Sequence, residues 1–222
     1  MRESGSNPSD VTAAGAARST VTVSGSGAVS AIPDVADVLL GVSAQKPTVA
    51  AAQAAAAVAM TAAIAAIRKS GIADRDIATI NVSLNPVYDQ SPNRPQPRLI
   101  GHEFSNTVRV TVRDVAKLAA VVDDAIAAGA TTVDGISFRV DDPKPMEARA
   151  RQLAMADARA RADELAAAAG VAIKGVASIV ESIGSSGPAP RAVMMMAKGF
   201  STPIQPGAAE VEIEVTVAYL IG

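Results

Sequence analysis

The chain has 222 residues, 20 basic and 22 acidic, for a formal charge of −2; 49% of its side chains are hydrophobic but only 2% are aromatic. It contains no Cys, no Trp and a single His, His102, so most parts for thiol chemistry, nucleophile–base pairs and Cys/His metal sites are missing. The balanced charge offers no basic footprint for nucleic acid, and the core has to be built from Ala, Val, Ile, Leu and Met.

Residues 1–18 are rich in Ser, Gly, Ala and Pro, show no apolar periodicity and read as a flexible tether. They hold no apolar stretch of the kind a signal peptide uses. Two origins stay open: a cytosolic protein with a ragged start, or a mature chain whose signal has been removed. From Thr20 to Gly27 β-branched and small polar residues alternate, which predicts a strand. Pro33-Asp34 turns the chain into a second strand, Val35 to Gln45, with Val38, Leu40 and Val42 on one face and Asp37, Leu39 and Gly41 on the other. Pro47 opens an Ala-rich helix from Thr48 to Lys69, whose larger apolar residues are Val49, Val58, Met60, Ile64 and Ile67 and which stops at Ser70-Gly71. No purely apolar run reaches the roughly 18 to 20 residues that span a bilayer, and this helix, mostly Ala with a Gln inside, reads as a soluble one.

A third strand is expected from Ile77 to Tyr88 and a fourth from Gly101 to Val112, joined by a loop with four prolines, Pro86, Pro92, Pro95 and Pro97. Asp114 is placed to cap a helix from Val115 to Ala128, ended by Gly129, and Thr132 to Val140 alternates as a fifth strand. The most charged helix runs from about Pro143 to Ala169, with a narrow stripe of Ala150, Ala154, Ala158, Ala162, Leu165 and Ala169. Glu147 with Arg151 and Asp157 with Arg161 are spaced as i,i+4 pairs along it. Two last strands, Val171 to Ile183 and Ala209 to Leu220, flank a Gly/Pro/Met-rich loop. The order β-β-α-β-β-α-β-α-β-β predicts the α+β class, a mixed and largely antiparallel sheet with helices packed on it.

Five blocks in this order carry a family resemblance. VTVSGSGAVSAIPDVADVLLGVSA resembles the opening of the SIMPL domain family, also called DUF541. GIADRDIATINVSLNPVYD, FSNTVRVTVRD, AIAAGATTVDGISFRVDD and ARQLAMADARARADELAAAAGV are similar to its successive blocks. The resemblance covers nearly the whole chain and implies one SIMPL-like domain over residues 19–222. It further implies kinship with exported periplasmic or lipid-anchored envelope proteins, immunogenic surface antigens among them, some of which form ring- or channel-like oligomers. A eukaryotic branch is named for binding a signalling kinase. The family brings no catalytic residues. An Ala-rich, Arg-over-Lys composition fits a high-GC bacterial genome and so the envelope branch.

Candidate sites follow from residue type. Gly25-Ser26-Gly27 lacks the third glycine and the helix of a dinucleotide loop and is expected to relieve close packing in a strand. Asp141, Asp142 and Glu147 gather where a strand enters a helix; carboxylates there hold a hard cation or cap the helix, and capping is preferred. His102 with Glu103, near Tyr88 and Asp89, is the one place acid–base chemistry could assemble, and Tyr88, Asp89 and His102 are taken as the rim of a pocket. Arg149, Arg151, Arg159 and Arg161 read as a salt-bridged, solvated face. Met194, Met195, Met196 and Phe200 lie in the long loop and either form a contact surface or fold back on the sheet. The expectation is a non-enzymatic exported envelope protein that self-associates or binds another envelope protein. It needs no metal, cofactor or nucleic acid and meets a membrane only through a lipid anchor carried by a longer precursor. Alternatives are a monomeric binding module for an apolar or glycan ligand, and a glycan hydrolase drawing on Asp89, Glu103, Asp141 or Asp142.

Overall fold

The computed structural model describes residues 19–89, 97–183 and 206–222. Among these, the elements follow the expected order: β1 (Thr20–Ala31), β2 (Val35–Lys46), α1 (Val49–Lys69), β3 (Ile77–Asp89), β4 (Arg98–Val112), α2 (Leu118–Ala127), β5 (Thr132–Arg139), α3 (Lys144–Ala169), β6 (Ile173–Ile183) and β7 (Ala209–Ile221). The α+β class holds. The strands divide between two sheets, β1-β7-β6 and β3-β4-β2-β5. The described chain forms two compact units, with boundaries at Val29/Ser30, Met146/Glu147 and Glu210/Val211. The tether and the loop carrying Met194, Met195, Met196 and Phe200 lie outside the described residues.

The first unit holds β1, α3, β6 and β7. β7 alternates strictly, burying Val211, Ile213, Val215, Val217 and Tyr219 and turning Glu212, Glu214 and Thr216 outward, the period-two signature of a half-buried strand. β6 runs antiparallel to β7. Ser19 accepts a hydrogen bond from the Ile221 amide and Ser24 meets Thr216, so β1 and β7 number in opposite directions as well. α3 presents Ala150, Ala154, Ala158, Ala162 and Ala166 as a buried stripe. This corrects its expected end: Leu165 is half exposed and Ala169 exposed. A constant four-residue step keeps the contact on Ala166, while Leu165 falls off its edge.

Two glycines of β1 explain why that stripe is alanine. A Cβ at Gly25 would stand 2.7 Å from the Ala158 Cβ and closer still to the backbone of Ala154 and Ala158. One at Gly27 would stand 2.8 Å from the Leu153 Cβ, again with helix backbone nearer. Strand and helix therefore touch almost backbone to backbone, a spacing only Gly opposite Ala permits. Ser26, between the glycines, gives its amide to the Asp157 carboxylate at 2.9 Å. Asp157 in turn pairs with Arg161 at 2.8 Å as its spacing predicts.

The second unit holds β2, β3, β4, β5, α1 and α2. Its sheet is antiparallel throughout, and β2 and β4 give the core Val38, Leu40, Val42, Val108, Val110 and Val112. α1 covers them with Ala56, Met60, Ala63 and Ile67, and α2 adds Leu118 and Val121. By length and composition α1 is apolar enough to cross a bilayer, which corrects the reading of that stretch as too short. Its buried Ala56, Met60, Ala63 and Ile67 nevertheless belong to this core, and Val49 and Val58 stand outside it at 39% and 73% exposure. Thr48 accepts the Ala51 amide at the start of α1. Asp114 accepts the Ala116 amide, so the expected helix opens as a 3-10 turn, Val115–Lys117, before α2 begins. All three helices end alike, on left-handed Gly71, Gly129 and Gly170. In each the next residue's amide reaches back, as from Ile72 to the Ile67 carbonyl, the Schellman closure that Gly allows.

Candidate functional site

Of the acidic cluster, Asp141 is ion-paired and Asp142 serves as a helix cap. Arg113 gives one amino group to Asp141 at 2.6 Å and grips Asp76 with the other at 3.1 Å. Arg139 bridges Asp141 at 3.1 Å and Asp37 at 2.9 Å. The Asp141 amide donates to Asp34, and the Lys144 amide donates to Asp142, which caps the start of α3. Asp141 is thus a hinge between two arginines. Among the described residues no group of three or more His, Cys, Asp or Glu is placed to hold a metal ion.

Asp37 is the titrating centre of this network. Burial pushes its carboxyl up, but the Thr111 hydroxyl and the Arg139 guanidinium outweigh this and hold it below the ordinary 3.8. Its stabilising effect is therefore complete above that ordinary value and is lost as the pH falls through the lower folded value. Asp37→Asn is expected to be less stable than the parent at neutral pH and to converge with it only as the pH falls through the depressed folded value, below the ordinary 3.8. Urea midpoints measured across the acid range check this; a constant gap between the two proteins would refute it.

His102 and Glu103 do not assemble into an acid–base pair. They are successive residues of β4, so their side chains point to opposite faces. His102 faces Pro86 on β3 and Lys46 on β2 in the ladder, while Glu103 accepts the Ser43 hydroxyl at 2.5 Å. Tyr88 lies opposite Leu99, and Asp89 opposite Arg98. A cleft of about 250 Å³ opens elsewhere in the same unit, lined by Ser70, Ile72, Arg75, Asp76, Arg113, Asp114 and Lys117 among others. Tyr88, Asp89 and His102 are not among its lining residues.

The arginines of α3 form the salt-bridged face expected of them, with one change of partner. Arg159 pairs with Asp163 at 2.9 Å and lies 5.7 Å from the Tyr219 ring. Arg149 reaches Gln152. Arg151 binds Glu181 on β6 with two hydrogen bonds, of 2.7 and 2.8 Å, rather than pairing with Glu147. A two-point guanidinium–carboxylate contact on a fixed strand is stronger than a single-point pair along the helix.

The feature that sequence reasoning missed is the flank of the second unit. β3 is an edge strand, and from Ile77 to Tyr88 it carries twelve residues without a charge. Ile80, Val82, Leu84 and Tyr88 are 41%, 54%, 44% and 47% exposed, and Leu99 and Ile100 on β4 add 47% and 48%. Val82 and Leu84 stand opposite Asn106 and Phe104, which stand opposite Val42 and Ala44. They therefore share the core-bearing face of the sheet, outside the part that carries the buried core. The uncharged alternation was visible in the sequence; that this strand would lie at an edge was not.

The model of the SIMPL family, a protein family of unknown function (DUF541), matches residues 21–219. The 26 kDa periplasmic immunogenic protein of Brucella melitensis is 31% identical over 210 residues, 90% of this chain and 84% of the relative. Its counterpart in Brucella abortus matches to the same extent. The uncharacterized protein YggE of Escherichia coli is 30% identical over 146 residues, 66% of this chain and 58% of its own length.

Proposed function

This chain belongs to the SIMPL family (DUF541), and on that premise we propose that it is an exported, non-enzymatic protein of the bacterial cell envelope that works by associating with copies of itself. Relatives called periplasmic immunogenic proteins support the location. The observation that carries the association is the flank of β3. Soluble proteins guard edge strands with charges, above all Lys, or cover them, yet this one exposes four large side chains along twelve uncharged residues. Contiguous exposed apolar surface of this kind marks a contact site. A second copy meets its chemistry without any bond being made or broken.

The test is the mass in solution by light scattering over a concentration series. A species at a multiple of 22.3 kDa that grows with concentration is the expected result. A monomer at every concentration would end the self-association reading.

A further inference from the structure

A second surface of the same unit is as short of charge as the β3 flank. α1 is 21 residues long, and its first charges are Arg68 and Lys69 in the last turn. The face opposite its buried one carries Ala54, Val58, Thr61 and Ala65, all exposed. A solvated helix face ordinarily carries charged residues, and none stands here before the last turn. Resting on the self-association proposed above, we infer that α1 of one copy lies by this face on the uncovered flank of the partner's sheet, at Val82 and Leu84, and that the partner returns the contact.

Three observations favour this occupant. Both surfaces lie in the second unit, on the core-bearing side of its sheet, so one two-fold axis satisfies both at once, as an isologous dimer requires. Their chemistry matches: small side chains on the helix let its backbone approach the larger Val82 and Leu84, and neither surface brings a charge that would be desolvated. The area suffices as well. A helix of this length is about 31 Å long and about 10 Å wide, so four such faces bury ~1,200 Å², the lower bound for a specific interface. The two helices would then form one middle layer between two sheets.

The chain lacks Cys, which makes cross-linking clean. Oxidising a mixture of Val58→Cys and Leu84→Cys proteins should give a disulfide-linked pair in severalfold higher yield than either variant alone. Val58→Glu and Leu84→Lys should each weaken the dimer ~10-fold or more, and the mixture of the two should recover it, since opposite charges then meet. Both positions are exposed, and unchanged thermal melting verifies that the variants fold. If the parent associates while neither substitution moves its midpoint and no mixed cross-link forms, this mode is overturned and self-association survives. If the parent stays monomeric, both fail together.

Discussion

Valine at Gly25 and Gly27 together is expected to unfold the first unit. Each new Cβ would enter space held by the α3 backbone, which cannot rotate away as a side chain would. Overpacking of this kind costs ~1–3 kcal/mol per site even where side chains relax, and the added γ-methyls raise it further. Two such sites approach the whole stability of a typical domain, ~5–15 kcal/mol. Alanine at either glycine alone should leave a folded but weakened protein. Tyrosine fluorescence in urea reads this out, because the chain has no Trp and only two Tyr. Tyr219 is buried in the first unit and Tyr88 lies in the second, so Tyr88→Phe isolates the signal. An unshifted midpoint in either alanine variant would contradict the backbone-to-backbone seam.

Leu40→Ala should weaken the second unit by ~3 kcal/mol, within the usual 2–5 kcal/mol for deleting a buried leucine side chain. Leu40 is 1% exposed, in the cluster that β2, β4, α1 and α2 share. Its neighbour Leu39 supplies the control. It points to the other face, opposite Arg109 and Gly135, and is only partly buried. Leu39→Ala should cost under half as much, since less apolar area leaves water there. Equal losses at the two positions would contradict the assignment of faces. Under the proposed self-association, Leu40→Ala should also weaken that contact, because α1 and the β3 flank are both carried by that core.

The family and the element order were legible because they rest on local signals. Alternation in β2 and β7, the cap at Asp114 and the glycines at positions 71, 129 and 170 each act within a few residues. Gly25-Ser26-Gly27 is a packing feature, as its lack of a following helix to make a phosphate site indicates, although the α3 backbone it packs against is far away in the chain. Two expectations failed where two distant segments had to meet. Glu147 was paired with Arg151 on spacing alone, but Glu181 from β6 supplies the better geometry. The spacing puts Leu165 in the stripe of α3, but packing within the first unit buries Ala166 instead.

The sequence by itself determined the α+β class, the membership of the SIMPL family and the lack of Cys that leaves thiol chemistry without parts, with one His in the chain. Each of those is a property of residue type or of spacing along one segment. The tertiary structure decided which strands pair, that they divide into two sheets, that Arg113 and Arg139 hold Asp141, and that uncharged β3 lies at an edge. Those depend on partners far apart in the chain, and alternation within a strand specifies which side chains share a face but not what stands beside it. The candidate association surface draws on both: the uncharged alternation of β3 stands in the sequence, and its place at a sheet edge comes from the fold.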